Sequence, residues 1–227
     1  MLRALIHAII GLLFRLLSRL EVEGTENIPA AGPLILVANH LGRLDSPLLF
    51  SLVRRSDVTS LVADKYRKYL FFRPLVNALH GIWINREQAD FGALRRAMEH
   101  LESGGMLGVA PEGTRSQTGV LMPAKTGAAY LAARAGVGVL PVGIWGTESA
   151  VARLFRLQRP SIHVRIGRCF RLPPLEQGER EAGLQRNTDE IMCQIAALLP
   201  AKYWGVYAGQ PRLKELLAEH PGSEPRS

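Results

Sequence analysis

The stretch LILVANHLGRLDSP, residues 34–47, places a histidine and a carboxylate directly after a buried strand. The five apolar residues at its start predict a short strand, and Ser46-Pro47 predicts a helix start with proline at the first helical position. On one helix, side chains five residues apart would point about 140° away from each other. In a strand-to-helix loop, the chain can fold back so that Asp45 accepts a hydrogen bond from one ring nitrogen of His40. The other nitrogen is then left as a base.

This pair has two interpretations. In the first, His40 and Asp45 are the orienting half of a catalytic triad without a protein nucleophile, and the substrate supplies its own hydroxyl. In the second, Asp45 only caps the following helix and His40 is an ordinary loop histidine. The rest of the chain has to decide between them.

The composition predicts one globular domain with a negatively charged partner. The chain has 227 residues, of which 47% are hydrophobic and 21% charged, which is typical of a globular protein with a substantial core. Its net charge of +8 suggests nucleic acid, an anionic membrane surface or a phosphorylated substrate as partner. Two cysteines, Cys169 and Cys193, argue against a disulfide framework and a zinc site. We see no metal-ligand constellation.

Residues 1–20 predict an amphipathic helix. The polar side of the helical wheel carries Arg3, His7, Gly11, Arg15, Ser18 and Arg19, with Phe14 inside the polar arc. The other side carries leucines and isoleucines between Leu5 and Leu17. The run is too interrupted for a confident spanning helix, so we expect an interfacial helix with its arginines at the headgroups. The alternative is a helix packed on the domain core.

Strands and helices alternate along the rest of the chain, which predicts a layered α/β domain over residues 21–209. Predicted strands cover residues 34–38, 58–63, 81–84, 106–110, 138–145 (broken by Pro141) and 162–166, with 169–172 as a further candidate. Predicted helices cover residues 47–53, 64–79 (kinked or broken at Pro74), 90–103, 128–135 and 184–199. Residues 210–227 form a C-terminal helix or tail, whose end we expect to be disordered.

Basic and aromatic residues are interleaved between positions 65 and 73. The segment contains Lys65, Arg67, Lys68 and Arg73 together with Tyr66, Tyr69, Phe71 and Phe72. This mixture is common on nucleic-acid surfaces and equally suited to a membrane interface. It also fits a solvated basic face over core aromatics.

Polar loops follow three of the predicted strands, where open α/β sheets bind their ligands. These loops carry the His40–Asp45 pair, Arg86 and residues 112–115, and Lys125 follows. Arg86, Arg115 and Lys125 could together bind a phosphate. Gly113 allows close approach of the backbone to a ligand and can present an N–H to a developing oxyanion.

Together these stretches resemble the glycerolipid acyltransferase family. Its Asn-His-x4-Asp motif corresponds to residues 39–45, and its glycine, apolar strand and arginine correspond to residues 81–86. Its Phe-Pro-Glu-Gly-Thr-Arg-Ser motif corresponds to residues 110–116, with Ala110 in place of phenylalanine. Its apolar strand with an internal proline and its Lys-x-Gly correspond to residues 139–143 and 125–127. The resemblance runs from about Val22 to Thr147, and Ala110 is expected to alter packing or the acyl pocket rather than the chemistry.

The resemblance implies a fold, an activity and a set of site residues. The fold would be a mixed central sheet flanked by helices. The enzyme would transfer a fatty acyl group from acyl-CoA or acyl-carrier protein to the sn-2 hydroxyl of 1-acylglycerol 3-phosphate (lysophosphatidic acid), giving phosphatidic acid. His40 would be the general base, oriented by Asp45, with no acyl-enzyme, no metal and no cofactor. The implied substrate-binding residues are Asn39, Arg86, Glu112, Gly113, Thr114, Arg115 and Lys125.

The resemblance is to the bacterial type and implies a peripheral or monotopic protein on the cytoplasmic face of the inner membrane. Its partners would be the lipid bilayer, lysophosphatidic acid and the acyl donor, and not nucleic acid. Alternatives are another acceptor, such as glycerol 3-phosphate, another lysophospholipid or a lyso-ornithine lipid. A further alternative is a non-catalytic membrane- or nucleic-acid-binding module. An esterase would need a Gly-x-Ser-x-Gly elbow, which the sequence lacks.

Overall fold

The computed structural model describes residues 2–70, 72–86, 88, 90–176 and 178–219, except the side chains of Leu2, Phe72 and Leu75. The helices are α1 (Leu2–Leu17), α2 (Asp45–Leu52), α3 (Phe72–Ala78), α4 (Phe91–Glu102), α5 (Gly127–Ala135), α6 (Ala150–Phe155), α7 (Arg180–Ala197) and α8 (Pro211–Glu219). The strands are β1 (Arg19–Glu23), β2 (Leu34–Ala38), β3 (Val58–Ala63), β4 (Ile82–Ile84), β5 (Met106–Val109), β6 (Gly138–Trp145) and β7 (Ser161–Ile166). The expected disorder after residue 220 lies outside the described residues.

Within the described residues, seven strands form one mixed sheet in the order β1-β7-β6-β2-β5-β3-β4. Strand β2 pairs in parallel with β5 and β6, and β3 pairs in parallel with β5 and β4. Strand β7 is antiparallel to β6, and β1 is parallel to β7. The predicted mixed sheet is therefore confirmed. All five residues of β2 are buried at its centre, which explains the unbroken apolar run.

Helices cover both faces of the sheet. Helices α4, α5, α7 and α8 pack on one face, where Ile35 and Val37 of β2 point. Helices α1, α2 and α6 contribute Phe14, Leu48 and Ala150 to the core on the other face. Leu213 and Leu216 of α8 are buried in the first core, so the C-terminal helix belongs to the domain rather than to a separate tail. No helix in the described part of the chain combines the length and the apolar character needed to cross a membrane.

Helix α1 ends earlier than predicted, at Leu17, because residues 19–23 form an edge strand. The Ser18 hydroxyl and N–H both donate to the carbonyl of Phe14 and close the last turn. The predicted boundary at residue 20 is therefore wrong. Strand β1 lacks an apolar run, and its partner β7 lies about 140 residues further along the chain, so the local sequence does not predict strand β1.

Two predicted breaks at prolines are also wrong. Strand β6 continues through Pro141, whose carbonyl accepts from the N–H of Gly167. In a strand, the N–H and the C=O of one residue point toward the same neighbouring strand. The N–H that Pro141 lacks would point past Ile166, the last residue of β7, so no hydrogen bond between β6 and β7 is lost. Pro74 lies in the first turn of α3, where a helix needs no N–H donor. The helical region instead divides between a 3₁₀ helix, Asp64–Lys68, and α3.

Two other elements differ from the expectations. Residues 169–172 make a single bridge between Val139 and Phe170 rather than a strand. Helix α6 was not predicted, because its six residues are too few for a hydrophobic period to show.

Candidate active site

The carboxyl ends of five parallel strands meet at one edge of the sheet, β2 to β6. The loops that follow them carry His40, Arg86, residues 110–125 and Thr147. The polar loops therefore lie together at the carboxyl ends of the strands, as the sequence predicts.

The side chains of His40 and Asp45 are in direct contact. Nδ1 of His40 lies 2.8 Å from Oδ2 of Asp45, which also accepts from the N–H of Gly42 at 2.8 Å. A carboxylate only accepts, so Nδ1 carries the proton and the lone pair of neutral His40 is on Nε2. Asp45 lies in the first turn of α2, whose N-cap is Leu44, and within the described structure its Oδ1 bonds no helix N–H. This geometry favours the oriented histidine over the helix-cap interpretation.

The loop from residue 39 to 45 is held against the segment after β6. A β-carbon on Gly42 would lie 2.4 Å from the carbonyl oxygen of Thr147, so only glycine fits this contact. Asp45 and Thr147 are 2% and 1% exposed. Within the described structure, Oδ1 of Asp45 and Oγ1 of Thr147 are buried without a hydrogen-bond partner. Sequence reasoning missed Thr147, since only the fold brings it to this loop.

The backbone of His40 is held on both sides by the loop after β5. Its N–H donates to Oε1 of Glu112 at 2.9 Å, and its carbonyl accepts from the N–H of Ser116 at 2.7 Å. The second Glu112 oxygen accepts from the N–H of Met122 at 3.0 Å. The Glu112 side chain therefore joins the histidine loop to residues 110–122.

Glu112 is buried, with 3% of its surface exposed, and its two oxygens are used within the protein. The resemblance implies that Glu112 positions either the acceptor or the loop, and this geometry favours the loop over a substrate-binding role, because the carboxylate faces backbone donors. Burial raises the pKa of the Glu112 carboxyl to about 7, since desolvation outweighs the two N–H donors that favour the charged form.

Asn39 is also a structural residue. Its Nδ2 donates to the carbonyl of Ile144 at 2.7 Å, and its Oδ1 accepts from the N–H of Ile144 at 2.8 Å. The residue is 1% exposed, so its amide cannot contact the substrate as expected. Instead, Asn39 ties the end of β2 to the end of β6 beside the histidine.

Two of the three predicted phosphate ligands lie together. Nζ of Lys125 donates to the carbonyl of Arg86 at 2.8 Å, and the Arg86 guanidinium lies 3.5 Å from the carbonyl of Leu61. Burial lowers the pKa of the Arg86 guanidinium. Arg115 is partly exposed on the neighbouring loop. The described residues provide no hydrogen bond to its guanidinium.

The backbone at Gly113 is left-handed, with φ of 69°, and the stem of Lys125 packs against it. Its N–H donates to the carbonyl of Ala110 at 3.0 Å and closes a turn. Gly113 therefore cannot offer that N–H to an oxyanion, which corrects the expectation. The next two N–H groups, of Thr114 and Arg115, have no partner in the described part of the chain.

The basic and aromatic residues after β3 pair with one another. Lys65 lies over the ring of Tyr66, Lys68 over Tyr69, and Arg67 over Trp83. Leu70 is 88% exposed next to them. Phe71, part of the same predicted segment, lies outside the described residues. Among the residues described, no group of three or more His, Cys, Asp and Glu side chains is placed to hold a metal ion.

The fold and the site together define an α/β enzyme with an oriented histidine at the carboxyl ends of its strands. The profile of the acyltransferase family matches residues 19–145, more than half of the chain. The chain belongs to the acyltransferase family.

Several characterised proteins are similar over most of the domain. The chain is 27% identical to the 1-acyl-sn-glycerol-3-phosphate acyltransferase of Borreliella burgdorferi, over 79% of this chain and 73% of that protein. It is 28% identical to the Escherichia coli enzyme of the same name, over 70% of this chain and 63% of that protein. It is 33% identical to the chloroplastic enzyme LPAT1 of Arabidopsis thaliana, but spans only 36% of that longer protein.

The fold is shared with a solved structure. The crystal structure of the 1-acyl-sn-glycerophosphate (LPA) acyltransferase PlsC from Thermotoga maritima superposes with a TM-score of 0.64 and 29% sequence identity. The match covers 83% of this chain and 76% of that chain.

Proposed function

We propose that the protein transfers a fatty acyl group from acyl-CoA or acyl-carrier protein to the sn-2 hydroxyl of 1-acylglycerol 3-phosphate, giving phosphatidic acid. The single observation that carries this proposal is the 2.8 Å contact between His40 and Asp45, on a loop that Glu112 and Ser116 hold in place. The names of the relatives support the acceptor.

His40 acts as the general base. Asp45 holds the proton on Nδ1, so Nε2 takes the proton of the acceptor hydroxyl as its oxygen attacks the thioester carbonyl. The tetrahedral intermediate then collapses, the carbon–sulfur bond breaks, and the imidazolium returns the proton to the leaving thiolate. No acyl-enzyme forms, because the acceptor oxygen is the nucleophile.

The acceptor phosphate binds between Arg86, Lys125 and Arg115. The bond from Nζ of Lys125 to the backbone carbonyl of Arg86 supports this assignment, because it brings the Lys125 ammonium to the loop that carries Arg86. Arginine and lysine both favour phosphate oxygens, and Arg115 has a guanidinium without another partner among the described residues. The N–H groups of Thr114 and Arg115 are the donors we assign to the oxyanion. The reaction needs no metal or other cofactor.

The outer face of α1 lies in the bilayer. Its exposed side chains are Leu5, Ile9, Leu12, Leu13, Leu16 and Leu17, each about half exposed. The polar side faces the protein: Arg3 donates to the carbonyl of Val58, and a ring nitrogen of His7 lies 3.2 Å from that of Val53. Arg3 therefore does not reach the headgroups as expected, whereas Arg15 is exposed. We place the protein peripherally on the cytoplasmic face of the inner membrane, and assign the segment around Leu70 to the same surface rather than to nucleic acid.

The test is acyl transfer by the purified full chain. Labelled acyl-CoA and acyl-carrier protein are supplied separately as donors, with lysophosphatidic acid, glycerol 3-phosphate and a lyso-ornithine lipid as competing acceptors. Phosphatidic acid is the expected product, and it should disappear in His40→Ala. The matched control is His163→Gln, because His163 also pairs with a carboxylate, that of Glu21 at 3.0 Å, yet lies on β7, outside the loop of residues 39–45.

The competing acceptors separate the alternatives. Preferred transfer to glycerol 3-phosphate or to the lyso-ornithine lipid would replace the proposed acceptor. A folded chain that binds vesicles but transfers to no acceptor would leave a non-catalytic membrane-binding module.

A further inference from the structure

The segment from residue 146 to 160 both leaves and rejoins the sheet at the edge that carries the loop of residues 39–45, which we call the catalytic loop. Strand β7 is antiparallel to β6, with Trp145 opposite His163, so the connection returns to the edge where it began. Near its start, Thr147 packs against Gly42 of the catalytic loop. We call residues 153–159, the outer part of this connection, the α6 tip.

The α6 tip is joined to the end of α1. Nη2 of Arg159 donates to the carbonyl of Arg15 at 3.1 Å and to that of Ser18 at 2.8 Å. The N–H of Arg19 donates to the carbonyl of Pro160 at 2.8 Å. Helices α1 and α6 also share the core on one face of the sheet. The tip therefore lies beside the end of α1 whose exposed leucines we place in the bilayer.

Two large apolar side chains of the tip are almost wholly exposed. Phe155 is 87% exposed and Leu157 is 96% exposed, so neither contributes to the core. Leu157 also has a left-handed backbone with φ of 56°, which disfavours a leucine and suits glycine or asparagine. The fold gains nothing from a leucine here, which points to a role outside the folded chain.

The charged side chains of the α6 tip are all positive. Arg153, Arg156 and Arg159 are exposed on the tip. No acidic residue occurs between Glu148 and Glu176. Apolar side chains flanked by arginines suit the boundary between acyl chains and anionic headgroups.

We propose that the α6 tip is a second membrane contact, in which Phe155 and Leu157 insert into an anionic bilayer beside α1. This inference rests on the proposed membrane function of α1. A single amphipathic helix leaves the domain free to roll about the helix axis, and a second contact removes that freedom. Because Thr147 and Gly42 connect the tip to the catalytic loop, the second contact holds that loop at the level of the headgroups.

The test measures binding of the full chain to vesicles of phosphatidylcholine with and without phosphatidylglycerol. The double variant Phe155→Ser, Leu157→Asn should bind the phosphatidylglycerol vesicles about tenfold or more weakly, from the loss of two inserted side chains. Asparagine tolerates the left-handed backbone, so the fold should be no less stable. The matched control is Phe91→Ser on α4, since Phe91 is 77% exposed on the opposite face of the sheet. Its binding should stay at the wild-type level.

A second readout reports insertion directly. Phe155→Trp should show stronger fluorescence quenching by brominated lipids than the wild-type chain, whereas Phe91→Trp should show no increase. Wild-type binding by the double variant, or no added quenching at position 155, would overturn the proposal. Dimerisation in lipid-free buffer that the double variant abolishes would also overturn it, with a second copy as the occupant.

Short-chain substrates that dissolve as monomers separate this inference from the proposed function. With them, the double variant should transfer acyl groups at the wild-type rate, because neither side chain belongs to the catalytic machinery. An inactive wild-type chain would refute the proposed function. The vesicle-binding result would then still decide whether the α6 tip contacts the membrane.

Discussion

Asp45 has two tasks that one carboxylate oxygen performs. Oδ2 accepts from both Nδ1 of His40 and the N–H of Gly42, so the same atom sets the histidine tautomer and closes the loop. An amide can keep one of these contacts but carries no charge to stabilise the imidazolium.

Asp45→Asn should therefore lower kcat by roughly 10²- to 10⁴-fold with a small change in KM. Initial rates at saturating donor check this, and urea unfolding shows whether the variant is folded. A folded Asp45→Asn variant with the wild-type rate would mean that the pair does not act in the reaction.

Glu112 makes stability depend on pH. Its carboxyl has a pKa of about 7 in the folded chain, against 4.5 as its ordinary value, so the folded state holds the proton more tightly. The resulting stability is fully present below about pH 4.5 and is lost as the pH rises through about 7. The shift corresponds to roughly 3 kcal/mol of the free energy of unfolding.

Glu112→Gln removes this titration but also one of two buried acceptors. It should destabilise the fold, by about 1–3 kcal/mol at low pH, and the deficit should shrink as the pH rises from 5 to 8. Urea unfolding of both proteins across this range measures the difference. Parallel curves would show that Glu112 does not titrate there.

At the scale of elements, the catalytic loop is positioned by contact with the connection after β6. Gly42→Ala would place a methyl group 2.4 Å from the Thr147 carbonyl and force the two apart. We expect a loss of about 1–3 kcal/mol in unfolding free energy and a 10- to 100-fold lower kcat, on the order expected for a small displacement.

The matched control is Gly11→Ala. A β-carbon on Gly11 would lie 4.0 Å from Cβ of Ser51, an ordinary contact inside a helix. It should stabilise the chain by about 0.5–1 kcal/mol and leave transfer from short-chain substrates unchanged. If Gly42→Ala behaved like this control, the contact with Thr147 would not position the loop.

At the scale of the whole molecule, the proposed membrane contact predicts that the apolar outer face of α1 and the net charge of +8 both favour binding to an anionic bilayer. Leu12→Ser with Leu16→Ser should weaken vesicle binding about tenfold or more with little change in stability, because both side chains are exposed. Phe14→Ala should leave vesicle binding nearly unchanged and lower the free energy of unfolding by about 3 kcal/mol, because Phe14 is buried. Added salt should weaken wild-type binding to phosphatidylglycerol vesicles by screening. Vesicle sedimentation and urea unfolding check these outcomes, and equal effects of both changes would refute the assigned outer face.

Local pattern was enough for the elements whose contacts are close in sequence. The apolar run of β2 and the polar loop after it predicted the central strand, and the five-residue spacing allowed the contact between His40 and Asp45. The sheet edge followed from alternation, since parallel strands bring their carboxyl ends together. The family resemblance correctly implied the mixed sheet.

Tertiary structure decided the roles that depend on distant partners. Asn39 and Glu112 look like ligands in the motifs, yet their acceptors and donors lie 105 and 72 positions away along the chain. Phe14, which the helical wheel places in the polar arc of α1, is buried, because that side of the helix packs against α2 and the apolar side stays exposed. By itself, the sequence determined the α/β alternation and the histidine–aspartate loop, because both arise from periodicity and short-range geometry. Only the tertiary structure decided which polar groups are hydrogen-bonded within the protein and which apolar faces stay exposed. Both depend on contacts between surfaces that meet only after the chain has folded.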